Sequence, residues 1–222
     1  MTPYDIRPMP PHIPTEDLAI LAQVETATFG HFRHIGFVNR AIQPVIKRRV
    51  VGTAVTVATP GPCTTVLHHA LDLLRPGDFV IVDRLGDDRH ACWGGGVTIA
   101  AKTAGAVGAA IDGPCTDEAE IIAADFAVWS RGVSPVTCRG YDLGGAMNVP
   151  VSCGGAVVLP GDAILADASG IVVLRREEVR AAATYALDLQ TRLQAREATY
   201  AKGVKIGDVS GASKLVEGRR SS

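Results

Sequence analysis

Between residues 79 and 129, short apolar runs alternate with helix-patterned segments, and this alternation limits the possible folds more than any other feature of the chain. Residues 79–83, 107–111 and 126–129 read as buried strands, because they are brief, apolar and bounded by turn residues. The segments between them, 94–104 and 116–124, read as helices. The product is βαβ material in which each helix is a crossover between strands. The first of these helices is introduced by three consecutive glycines, Gly94, Gly95 and Gly96.

The flanking segments extend the same architecture. Residues 50–59 are dominated by β-branched side chains and punctuated by Gly52 and Pro60, which predicts a strand, and residues 64–74 follow as a helix. Arg75-Pro76-Gly77-Asp78 has the chemistry of a tight turn. The same Pro-Gly-Asp returns at Pro160-Gly161-Asp162, which predicts a hairpin between 156–159 and 163–166, with a further strand at 171–174. Thr15-Glu16-Asp17 predicts the capped start of a helix running to about Phe29. The expected whole is a single layered α/β domain over 1–222, with a proline-rich lead (1–14) and a C-terminal part (175–222) made of a long amphipathic helix and a flexible tail.

Composition excludes several functional classes. With 22 basic and 23 acidic residues the net charge is -1, so there is no broad positive surface to neutralise a nucleic-acid backbone, and no nucleic-acid partner is expected. The N-terminal lead has no basic segment followed by an apolar run, and no later stretch is apolar enough to span a bilayer, so no membrane association is expected. Five widely spaced cysteines, odd in number and never C-x-x-C, read as free thiols in a reducing compartment, with the cytoplasm as the expected location.

Two stretches bear chemistry. The glycines preceding Val97 let backbone amides approach a ligand at a helix N-terminus, where unpaired N–H groups favour a carboxylate or phosphate. The same glycines are also compatible with nothing more than a turn and close packing. Further on, Asp112-Gly113-Pro114-Cys115-Thr116-Asp117 leads from a strand into a helix. Asp117 there can cap the helix, or face the glycine loop and hold a divalent cation through oxygen. Cys115 reads as a buried thiol, and the adjacent His68 and His69 point to different faces of a helix and make a poor metal pair. Trp93 suits either a pocket wall or the core.

At these stretches the sequence resembles the RraA-like family, which includes 4-hydroxy-4-methyl-2-oxoglutarate and 4-carboxy-4-hydroxy-2-oxoadipate aldolases. Gly94, Val97, Gly105, Gly108, Asp112, Gly113 and Asp117 fall in register with that family's pattern. The resemblance implies a three-layer β/β/α swivelling-type domain, assembled as homotrimers or hexamers with sites at subunit interfaces. It implies a lyase acting on a small 2-oxo acid, by retro-aldol release of pyruvate or oxaloacetate-type decarboxylation. Asp117 would bind Mg2+ or Mn2+, the amides of Gly94 to Val97 would hold the substrate carboxylate, and Thr116 would stand beside the reacting centre.

Three positions depart from the aldolase pattern. Thr116 replaces the arginine before the motif aspartate, Gly95 replaces the acidic residue of the glycine loop, and His31 stands where the family often has an aspartate in the first helix. Losing such a charged donor costs ~3 kcal/mol of transition-state stabilisation unless another group substitutes. Arg84, Arg89, Lys102 and Arg139 are the candidate substitutes, Asp83, Asp87 and Asp88 the candidate supporting acids, and Glu197 the nearest match to a glutamate that a neighbouring subunit contributes in the aldolases. The alternatives are a non-catalytic binding protein that regulates a ribonuclease, and a same-fold enzyme with a different acid substrate.

Overall fold

A computed structural model describes residues 4–220. In chain order the first elements are β1 (Tyr4–Ile6), α1 (Thr15–Leu21), α2 (Thr26–Phe29), β2 (Gln43–Pro44), β3 (Val50–Ala58), α3 (Thr65–Leu71) and β4 (Asp78–Asp83). Next come α4 (Gly95–Thr103), β5 (Gly108–Ile111), α5 (Glu118–Ala123), β6 (Val128–Ser130), β7 (Gly145–Met147), β8 (Val151–Cys153) and β9 (Ala156–Val158). The last are β10 (Ala163–Asp167), β11 (Gly170–Leu174), α6 (Val179–Tyr200), α7 (Ile206–Ser210) and α8 (Ala212–Glu217).

The predicted βαβ units form the centre of the molecule. Strands β3, β4, β5 and β6 pair in parallel, in that order, and α4 and α5 are the crossovers of β4–β5 and β5–β6. Along β4 the side chains alternate between faces, yet all are apolar. Val80 and Val82 pack with Val66 and Leu67 of α3, Ala101 of α4 and Ile121 of α5. Phe79 and Ile81 pack on the other side against Val151, Cys153, Ala156 and Val158 of the β8–β9 hairpin. Burial on both faces explains why these strands are continuous hydrophobic runs in the sequence. The result is a β/β/α arrangement of layers, as expected from the resemblance.

The expected hairpin between 156–159 and 163–166 does not form. Strand β9 pairs instead with β8 across Gly154-Gly155, both at positive φ, while β10 pairs with β11 and also with the first half of β3. A Gly-Gly pair is the favoured two-residue hairpin loop. The Pro160-Gly161-Asp162 turn carries the chain from one sheet to the other.

The expected helix from Thr15 to Phe29 is broken into α1 and α2. Gln190 of α6 holds the break: its side chain accepts the Glu25 N–H at 2.9 Å and donates to the Gln23 carbonyl at 3.0 Å. Thr15 does not cap α1; Pro14 occupies the cap position, and Asp17 accepts from Arg180 of α6 at 2.6 Å. The segment expected as a tail carries α7 and α8, neither with a buried residue. No helix among the described residues is long and apolar enough to cross a membrane.

Candidate active site

The site forms beyond the carboxyl ends of β4 and β5, the usual place for ligands in parallel sheets. Past the strands, Trp93 and Cys115 continue the parallel pairing as an isolated bridge, and the Thr116 N–H donates to the Trp93 carbonyl at 2.8 Å. This bridge lays Gly94 and Gly95 alongside Thr116 and Asp117. Trp93 is fully buried, stacks on Phe126 and donates its indole N–H to Thr98 Oγ1 at 2.9 Å, so it anchors the loop from the core and does not wall a pocket.

The glycines serve close approach. A Cβ on Gly94 would strike the Asp117 carboxylate and lie 2.7 Å from Thr116 Cγ2. One on Gly95 would strike the Glu120 carboxylate and lie 2.9 Å from Glu120 Cβ. Neither glycine has positive φ, so the loop needs their lack of a side chain and not their conformational freedom. This also accounts for the departure at Gly95: the space that an acidic side chain would need is filled by Glu120, one turn into α5.

Asp117 stands at the cap position of α5 but does not cap it. Its backbone is left-handed, φ 54° and ψ 42°, and its side chain makes no cap hydrogen bond. Instead its Oδ2 accepts the Gly95 N–H at 3.1 Å, and its Oδ1 accepts from Thr116 Oγ1 at 3.1 Å. Of the two readings open from the sequence, the geometry is the one in which Asp117 faces the glycine loop. The next amides of α4, those of Gly96 and Val97, have no hydrogen-bond partner among the described residues. With Gly94, Thr116 and Asp117 they line a cavity of about 440 Å³.

None of the four candidate substitutes for the missing arginine lines this cavity. Arg84 is fully buried and its guanidinium donates to the carbonyls of Thr59, Gly61 and His90 and to Cys138 Sγ. Lys102 donates to the Ala124 carbonyl, Arg89 is exposed, and Arg139 is exposed beside the cavity wall, where its carbonyl accepts the Thr64 N–H at 2.9 Å.

The candidate supporting acids are likewise engaged in structure. Asp83 accepts the amides of Leu85 and Ser152 at 2.7 and 3.0 Å. Burial pushes the Asp87 carboxyl up, but the amides of Arg89 and His90 and the His90 ring outweigh it and hold it below the usual range. Asp88 and Glu197 are exposed and do not line the cavity.

Burial raises Cys115, in keeping with an inert thiol. Cys63 goes the other way. Burial pushes it up, yet the Thr65 hydroxyl and the amides of Leu143, Thr65 and Tyr141 bring it down to about 7. Thr65 is a neighbour at the start of α3, but Tyr141 and Leu143 come from a distant loop, which is why Cys63 does not stand out in the sequence.

A family model described as RraA-like, Aldolase/RraA, matches residues 21–173. The chain belongs to the RraA-like family. Among its relatives is a Halalkalibacterium halodurans protein named provisionally as a 4-hydroxy-4-methyl-2-oxoglutarate aldolase. The two are 33% identical over 149 residues, 67% of this chain and 70% of the relative.

Two solved structures share the RraA-like fold. One is RraAS2 of Streptomyces coelicolor, described as an unusual member of the RNase ES inhibitor RraA protein family, with a TM-score of 0.73 at 23% identity over 86% of this chain and 98% of that one. The other is an uncharacterised protein of Pseudomonas syringae, with a TM-score of 0.77 at 21% identity over 93% of this chain and 98% of that one. At such identities the likeness is one of fold.

Proposed function

We propose that this RraA-like chain is a divalent-metal-dependent lyase that releases pyruvate from a small 2-oxo acid. The observation that carries the reading is the Asp117 carboxylate meeting the glycine loop at 3.1 Å, beside two open amides at a helix N-terminus. The names of relatives such as the Halalkalibacterium halodurans protein support the same chemistry.

The donor set fits magnesium or manganese. Asp117 is exposed and offers hard oxygen, and a largely hydrated magnesium needs only one or two carboxylates. Among the described residues no three His, Cys, Asp or Glu side chains converge, so an ion at Asp117 would take its remaining ligands from water and substrate oxygens. Asp117 would hold the magnesium or manganese ion, which when bound would supply Lewis acidity for the developing enolate oxygen. The amides of Gly96 and Val97 bind the substrate carboxylate, orient the 2-oxo acid along the cavity and add fixed donors that need no reorganisation during reaction. The Gly95 amide, by holding Asp117 Oδ2, positions the carboxylate. Within the same proposal the chain assembles as homotrimers or hexamers, which light scattering tests.

The test is pyruvate release from oxaloacetate and from 4-hydroxy-4-methyl-2-oxoglutarate, with and without magnesium or manganese. Asp117→Ala should lower the metal-dependent rate by ~100-fold or more. Equal turnover in the presence of a chelator, or in the variant, contradicts the proposal. An inert chain that nonetheless inhibits a ribonuclease points to docking instead.

A further inference from the structure

The cavity has a second polar wall, made by α3. Thr64, His68 and Asp72 follow one another at intervals of four residues and all line the cavity. The His68 N–H donates to the Thr64 carbonyl at 2.9 Å, so the first two stand one helical turn apart on the same face. Thr64 is only 4% exposed, yet its Oγ1 has no partner among the described residues. It occupies the cap position of α3 without making a cap hydrogen bond. A buried hydroxyl left unsatisfied is costly, and because Thr64 lines the cavity, turning its side chain toward a bound hydroxyl would satisfy it. His68 has the one basic side chain among the described residues that line this cavity, and its ring is exposed to it.

We infer that this wall handles the hydroxyl-bearing carbon of a 4-hydroxy-2-oxo acid, with Thr64 Oγ1 hydrogen-bonding the hydroxyl and the neutral His68 imidazole acting as its base. The inference rests on the lyase reading and narrows it, because a retro-aldol cleavage needs a base for the substrate hydroxyl whereas a decarboxylation does not. The O–H bond breaks and its proton passes to the imidazole. The O–H electron pair forms the new C=O bond, C3–C4 breaks, and the pair from that bond becomes the enolate. Returning the proton from His68 to C3 gives pyruvate and restores the neutral ring.

The experiment compares wild type, His68→Gln and Thr64→Val with magnesium present. It follows cleavage of 4-hydroxy-4-methyl-2-oxoglutarate, decarboxylation of oxaloacetate, and inhibition by pyruvate. His68→Gln should lower kcat for cleavage by ~100-fold or more while pyruvate inhibition stays within about threefold of wild type. Any oxaloacetate decarboxylation should be spared in the same way. Thr64→Val should raise KM for the hydroxy acid by ~10-fold and leave pyruvate inhibition alone.

Unchanged cleavage in His68→Gln overturns the inference, as does a parallel fall in cleavage and pyruvate binding. A wild type that decarboxylates oxaloacetate but does not cleave the hydroxy acid overturns it while leaving the lyase reading standing. A wild type with neither activity overturns both.

Discussion

Asp117 and Gly95 set the site between them, and each is decided by a neighbour in space. A residue at a helix cap normally has an extended backbone and bonds its own helix. Asp117 has φ 54°, which turns it out of capping geometry and toward the loop, so the two readings of this position were inseparable until the backbone was known. The glycine loop itself was legible because a glycine triplet before a helix has few uses. Why Gly95 lacks the family acid was not, because the cause is Glu120, twenty-five positions away. Gly95→Ala should lower stability by ~1 kcal/mol through overpacking against the Glu120 carboxylate, and Glu120→Ala in the same chain, which removes that carboxylate, should recover part of it; thermal unfolding of the two single variants and the double variant measures the coupling. Thr116→Arg restores a charged donor at the cavity wall and should raise kcat/KM for the aldol substrate by ~10-fold or more, whereas an unchanged value would mean that the pocket already has a substitute.

The elements most legible in the sequence were those buried on both faces. The strands β3, β4 and β5 and the helices between them lie close to the predicted segments, because apolar runs and turn residues mark them locally. The later strands were harder. The Pro160-Gly161-Asp162 turn was visible, but which edges it joins depends on β3 offering half of one edge to β10. The Gly154-Gly155 pair was the available signal for the true β8–β9 hairpin.

Asp167, at the end of β10, ties this region to α2. Its carboxylate accepts the Thr26 N–H at 2.9 Å, the Thr26 hydroxyl at 2.6 Å and the Ser169 N–H at 2.8 Å. Asp167→Ala leaves the Thr26 donors buried without a partner and should destabilise the fold by ~1–3 kcal/mol in denaturant unfolding.

Across the whole molecule, α1, α2 and α6 pack on the outer face of β10–β11 through Leu21, Phe29, Val179 and Ala183, α1 and α2 far in sequence from the strands they cover and α6 directly after them. Glu178 joins α6 to the loop after α2 through a two-pronged pair with Arg33, at 3.0 and 3.1 Å. Burial pushes this carboxyl up, but the Arg33 fork and the Arg175 amide prevail and hold it below the ordinary 4.5. A depressed carboxylate stabilises the fold fully above its unfolded value and loses that contribution as pH falls through the lower folded value. Glu178→Gln should therefore flatten the decline in melting temperature below about pH 4.5.

The site itself is tested most directly by calorimetric titration of pyruvate into the wild-type protein and Asp117→Ala, with and without magnesium or manganese. Binding that requires the ion and disappears in the variant is the predicted result. Pyruvate binding that is equally strong without the ion, or in Asp117→Ala, would contradict a site built from that carboxylate and the glycine-loop amides.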